Sequence, residues 1–149
     1  PDPVSFVTAE AIQVVWRSIS AGAFALLAFI SGISLVVGAI VIANIMLVSV
    51  VERTKEIGIR LAIGAKKRDI RRQFLLEATL LALGGGAVGV LFGWVISSLI
   101  NAYTPLPTLV TPTLVTTGLL LATLTGLLAG VFPAVKASRL PPIEALRYE

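Results

Sequence analysis

Residues 18–51 and 78–135 contain no charged side chain, although the chain of 149 residues carries twelve basic and eight acidic ones. These two runs are 34 and 58 residues long. A soluble domain has about 25% charged residues spread over its surface. Here they make up 13% and are confined to the flanks of the runs. With 56% hydrophobic residues and a mean hydropathy of +0.97, the chain reads as membrane-embedded. This argues against a soluble enzyme, a disordered segment and a nucleic-acid-binding domain. A pI near 10.0 does not restore the last of these, because no aromatic residues are interleaved with the basic ones. The chain has no cysteine and no histidine. Disulfides, thiol nucleophiles, zinc-binding His motifs, Ser-His-Asp triads and imidazole relays are therefore ruled out.

A membrane-spanning helix needs about 20 predominantly apolar residues. The first run exceeds this, since 34 residues in helix reach about 51 Å against a hydrocarbon core of about 30 Å. The second run is too long for one span and breaks at residues 101–113, where Pro105, Pro107 and Pro112 remove backbone donors and fix φ. The expected spans are residues 18–51, 78–100 and 114–135. Continuous rather than alternating apolar runs argue against a β-barrel.

Lysine and arginine set the expected orientation. Residues 52–77 carry Arg53, Lys55, Arg60, Lys66, Lys67, Arg68, Arg71 and Arg72, and residues 136–149 carry Lys136, Arg139 and Arg147. The turn 101–113 carries none, and residues 1–17 carry only Arg17. Segments 52–77 and 136–149 are therefore expected in the cytoplasm, with 1–17 and 101–113 outside. An external start at Pro1, without a signal peptide, leads to the expectation of an earlier helix upstream, with an external domain between.

Lipid offers helices no hydrophobic reason to associate, so close packing through small residues must serve. Gly85, Gly89 and Gly93 recur every four residues on the second span, and Gly118, Ala122, Gly126, Gly130, Ala134 and Ser138 on the third. Both stripes are expected to be interhelical contacts. Asn44, an amide within the first span, is expected to hydrogen-bond to a neighbouring helix; a substrate contact is the alternative. No ionisable group lies within a span, which argues against an ion-coupled carrier. Gly84-Gly85-Gly86-Ala87-Val88-Gly89 satisfies GxGxxG but lies in an apolar helix with no preceding strand. Gly58 and Gly64-Ala65-Lys66-Lys67 lack P-loop spacing and its Ser or Thr. The chain is expected to bind neither ATP nor any other cofactor by itself.

Residues 52–77 contain two amphipathic pieces. In residues 52–63, Ile57, Gly58, Ile59 and Ala62 form an expected docking surface for a soluble partner, with Gly64 suited to the position just past a helix end. In the second piece, Ile70, Phe74 and Leu75 oppose Lys67, Arg68, Arg71 and Arg72. That pattern predicts a basic helix lying at the anionic inner surface before turning into the second span.

Three blocks carry a family resemblance. The first runs through Ser34-Leu35-Val36-Val37-Gly38 and Asn44-Ile45-Met46-Leu47-Val48-Ser49-Val50. The second is Glu52-Arg53-Thr54-Lys55-Glu56-Ile57-Gly58-Ile59-Arg60 with Ala62-Ile63-Gly64-Ala65. The third joins Phe132-Pro133-Ala134, Ala137-Ser138-Arg139-Leu140 and Pro142-Ile143-Glu144-Ala145-Leu146-Arg147-Tyr148-Glu149. From about Gly32 onward the sequence resembles the FtsX-like permease family, and within it the MacB branch of ABC transporters. Leu61, where relatives often carry a basic residue or Met, and Pro141, where an acidic residue is common, depart from the pattern.

The resemblance implies an all-α membrane protein: the last three of four transmembrane helices, a short cytoplasmic coupling helix and the basic amphipathic helix. Residues 1–17 would be a stalk leaving an extracytoplasmic domain, with Trp16 and Arg17 marking the outer membrane boundary. Arg53, Glu56, Ile57, Gly58, Arg60, Ala62 and Gly64 would couple to an ABC ATPase, fused or separate, which holds ATP and Mg. A second permease copy, membrane lipids, a periplasmic adaptor and an outer-membrane channel are the other partners it suggests, at the bacterial inner membrane. The function it implies is mechanotransmission: ATP-driven movement passed to the outer domain for export. The alternatives within the family are force transmission to an external cell-wall hydrolase and lipoprotein release.

Overall fold

The computed structural model describes residues 8–105 and 108–141. The expected stalk start at residues 1–7, residues 106–107 of the turn and the closing motif at residues 142–149 lie outside them. The described residues form four helices: α1 (Thr8–Glu52), α2 (Thr54–Ala62), α3 (Lys67–Tyr103) and α4 (Pro112–Ser138). Three of these, α1, α3 and α4, are long and apolar enough to cross a membrane. The chain divides into two units, residues 1–37 and residues 38–149. In the first, Trp16, Phe24, Leu26 and Phe29 on α1 are all exposed, as lipid-facing side chains are.

The second unit is built on the α3–α4 pair, which run antiparallel. Ala78 of α3 lies by Gly130 of α4, Ala82 by Gly126, Gly86 by Ala122 and Val90 by Gly118, so each step of four along α3 matches a step of four back along α4. Ridges of small residues spaced by four allow this close approach of backbones.

The turn between α3 and α4 is closed by side chains. Asn101 Nδ2 donates to the Thr108 carbonyl at 2.6 Å, and the Thr108 N–H donates to Asn101 Oδ1 at 2.8 Å. The Thr108 hydroxyl donates to the Ser97 carbonyl at 2.9 Å. An amide side chain thus replaces the hydrogen-bonding partners that the proline-rich segment cannot supply. Thr111 then caps α4, its Oγ1 accepting from Leu114 N–H, with Pro112 in the first turn, where a missing N–H is harmless.

The basic piece and the second span form one helix. No separate surface helix precedes a bend, because α3 runs unbroken from Lys67 to Tyr103. Nothing between Arg68 and Leu83 breaks a helix, since the first glycine is Gly84 and there is no proline. The observed helices also overrun the expected spans: α3 exceeds 78–100 at both ends and α4 exceeds 114–135.

The core sits at the end of this unit that carries α2. It gathers Met46 and Val50 from α1, Ile57 from α2, Ile70, Phe74 and Ala78 from α3, and Ala134 and Ala137 from α4. All four helices therefore meet in one apolar cluster, with Phe74 its largest fully buried side chain.

Candidate coupling helix and interhelical contacts

α2 follows α1 after a single non-helical residue, Arg53 (φ −99°, ψ 13°). The junction is tied by Arg53 N–H to Ser49 O (3.1 Å), Ile57 N–H to Arg53 O (2.9 Å) and the Thr54 hydroxyl to Val50 O (2.9 Å). At its other end, Ala65 N–H bonds Arg60 O at 2.9 Å and Gly64 N–H bonds Leu61 O at 3.2 Å. Those two bonds form a Schellman closure, and Gly64 supplies its left-handed residue at φ 103°. The nine-residue helix is thereby fixed at both ends.

Its two faces differ. Thr54, Ile57 and Gly58 are buried, with Ile57 only 3% exposed. Lys55, Glu56, Ile59, Arg60 and Ala62 are exposed, and Ile63, at the helix end, is 81% exposed. The residues of the expected docking surface thus divide: Ile57 and Gly58 are buried, while Ile59 and Ala62 are exposed. Ile63 joins them. Its exposure could not be read from an apolar residue beside a glycine.

Charged residues add lateral ties. Arg60 donates to Gln73 Oε1 on α3 at 2.9 Å and forms an ion pair with Glu56 one turn back. Arg53 pairs with Glu77 of α3 at 3.4 Å. Both ion pairs are about half exposed, so each contributes at most about 1 kcal/mol. Their effect is to set the roll of α2 against α3. Burial of Ile57 and Phe74 provides the adhesion.

Of the glycines singled out, Gly126 and Gly130 lie tight against α3, and Gly118 makes ordinary contact with Val90 at 3.9 Å. Gly85, Gly89 and Gly93 do not face α4; a Cβ at any of them would meet nothing within 4 Å. The contacting stripe on α3 is instead Ala78, Ala82 and Gly86, offset in phase although it has the same spacing. Asn44 is exposed on α1, and among the described residues its side chain makes no hydrogen bond to another helix.

Residues 28–142 match the FtsX-like permease C-terminal family. The chain is 50% identical over 120 residues to YknZ, an uncharacterized ABC transporter permease of Bacillus subtilis, covering 80% of this chain and 30% of that protein. It is 50% identical over 138 residues to the macrolide export ATP-binding/permease protein MacB of Bdellovibrio bacteriovorus, covering 93% of this chain and 21% of MacB. The MacB of Rhodopirellula baltica is 46% identical over 140 residues, with 94% and 20% covered. The chain thus spans about a fifth to a third of the length of these relatives. The chain belongs to the FtsX-like permease family, as permease sequence of the MacB-type ABC transporters with helices suited to a multi-pass membrane protein.

Proposed function

We propose that this chain couples ATP hydrolysis in an ABC ATPase to movement outside the membrane, and that α2 is where the ATPase pushes. The observation that carries the reading is the division of α2 into two faces. Its inner face, through Ile57, is part of the one cluster that joins all four helices. Its outer face presents Ile59, Ala62 and Ile63 among Lys55, Glu56 and Arg60. A partner that grips the outer face therefore displaces the ends of α1, α3 and α4 together, because a close-packed core transmits strain rather than absorbing it.

The lysines and arginines clustered around α2 support a cytoplasmic position for it. ATP and Mg belong to the ATPase, whether fused or separate. Two ATPase domains closing on nucleotide would draw two permease copies together, and α1 would carry the movement outward to a domain upstream. Export is the outcome favoured by the names of the MacB relatives; a periplasmic adaptor and an outer-membrane channel are further partners proposed for it. The absence of charge from residues 18–51 and 78–135, within the three long helices, supports a mechanical role over an ion-relay role.

The test is an Ile63→Glu, Glu56→Arg double variant of the full-length permease. Both positions are exposed, so the fold is expected to persist. Loss of ATPase co-purification and of permease-dependent stimulation of ATP hydrolysis is the predicted result. Unchanged docking and stimulation would remove α2 as the coupling element.

A further inference from the structure

The first turns of α3 carry Arg68, Arg71 and Arg72, and none of them enters an ion pair among the described residues, where the pairs found are Arg53–Glu77 and Arg60–Glu56. The three arginines border one groove of about 550 Å³. Below them on the same face of α3 come Leu75, expected opposite the arginines but seven residues and two turns on from Arg68, and Leu76; Leu127 of α4 forms the opposite wall. Thr79, at the far end, donates its hydroxyl to the Leu75 carbonyl at 2.8 Å, so its proton is already used within the helix. The groove therefore changes abruptly from three guanidinium groups to an apolar channel. From Arg68 to Thr79 the helix rises about 16 Å, comparable with one leaflet of a bilayer whose core is about 30 Å thick.

The preference of Lys and Arg for the inner side accounts for basic residues at this end of α3, but not for three arginines, without ion pairs among the described residues, bordering one leucine-lined groove; a soluble anion site in turn has no use for a leucine-lined extension. We propose that this groove is a binding site for an anionic phospholipid, with its phosphate held by Arg68, Arg71 and Arg72 and an acyl chain laid against Leu75, Leu76 and Leu127. Guanidinium groups suit phosphate oxygens because their planar donor forks bind two at once. The continuity of α3 is what makes the site. A basic helix lying flat on the membrane would spread its charges over the surface, whereas here they cap a groove that descends alongside Leu127. A second groove between α3 and α4, at the other end, is lined by Trp94, Val110 and Val115 without any charged residue. It serves as an internal control.

The test uses the full-length permease purified in nanodiscs, with diazirine-bearing phosphatidylglycerol or phosphatidylcholine as probes. Photolabelling is mapped by mass spectrometry. Phosphatidylglycerol is expected to label peptides containing residues 75–79 and 127 in excess over phosphatidylcholine, with no such excess around Trp94. Arg68→Gln, Arg71→Gln, Arg72→Gln together should weaken phosphatidylglycerol retention by about 100-fold, at roughly a factor of five per arginine near a membrane surface. Leu127→Trp keeps the charges and fills the channel, and should also reduce lipid retention. Inorganic phosphate at millimolar concentration should leave the lipid adduct in place. Equal labelling by the two lipids overturns the proposal even if the triple variant fails to fold. Displacement of the lipid by phosphate alone, or retention unaffected by Leu127→Trp, would reduce the site to an anion site and overturn the lipid assignment.

Discussion

A Cβ added to Gly130 of α4 would sit 2.6 Å from the Cβ of Ala78 on α3, closer than two such carbons can approach. At Gly126 the added atom would also meet backbone, the Ala78 carbonyl oxygen and Thr79 Cα, each at 2.9 Å. The helices can admit it only by separating. Gly126→Ala is therefore expected to destabilise the protein by about 1–3 kcal/mol, the usual range for overpacking. Gly85→Ala meets nothing, and replacing a mid-helix glycine by alanine there should be neutral or stabilising by up to about 1 kcal/mol. Unfolding titrations of the two variants in the same micelle separate the registers.

Gly64 closes α2 in a left-handed conformation. Gly64→Ala leaves both closing hydrogen bonds chemically possible but imposes a strained backbone, with an expected loss of about 1–2 kcal/mol. Because the strain sits at the end of α2, hydrogen exchange should accelerate at the amides of Gly64 and Ala65 more than along α3. Uniform acceleration would place the defect elsewhere.

Asn101→Ala removes both bonds to the Thr108 backbone while leaving the Thr108 hydroxyl on Ser97. Exchange of the Thr108 amide is expected to rise about tenfold, matching a net hydrogen bond of roughly 1.4 kcal/mol. Asn101→Asp should keep the acceptor for that N–H and lose the donor to the carbonyl, giving an intermediate rate.

Phe74 and Ile63 make a contrasting pair, at 2% and 81% exposure. Phe74→Ala is expected to destabilise by about 3–5 kcal/mol and to loosen α2, since the ring lies in the same cluster as Ile57. Ile63→Ser should change stability by less than about 0.5 kcal/mol, as surface substitutions do, yet weaken binding of the ATPase. Thermal unfolding and ATPase pull-down on the two variants should therefore rank them oppositely.

The membrane helices were legible because charge in hydrocarbon is so costly that its absence from residues 18–51 and 78–135 has one simple explanation. The α4 contact face was legible too: Gly126 and Gly130 belong to its one long small-residue series. On α3 two series share the same spacing, Gly85–Gly89–Gly93 and Ala78–Ala82–Gly86, and spacing cannot choose between them. The choice depends on where α4 returns, which is set by the Asn101–Thr108 clasp and the capped turn. The faces of α2 were hidden for another reason. Ile57, Ile59, Leu61 and Ile63 alternate by two, so no single 100° stripe stands out. Docking against Phe74 decides that Ile57 turns inward and Ile59 outward. The unbroken α3 needed no such context: no breaker separates its basic start from its apolar body, and the change in composition marks a change of surroundings within one helix.

An ATPase that grips the outer face of α2 must come within crosslinking reach of Ile63. The chain has no cysteine, so Ile63→Cys introduces a single thiol into it, at a position exposed enough to react. The direct measurement is bismaleimide crosslinking of the full-length permease carrying Ile63→Cys to its ATPase, in membranes, with and without ATP. Leu109→Cys, comparably exposed in the turn before α4, is the control. Coupling through α2 predicts a permease–ATPase adduct from Ile63→Cys whose yield changes with nucleotide, and none from Leu109→Cys. Equal yields from the two positions, or no adduct from Ile63→Cys in a complex that still hydrolyses ATP, would be incompatible with it.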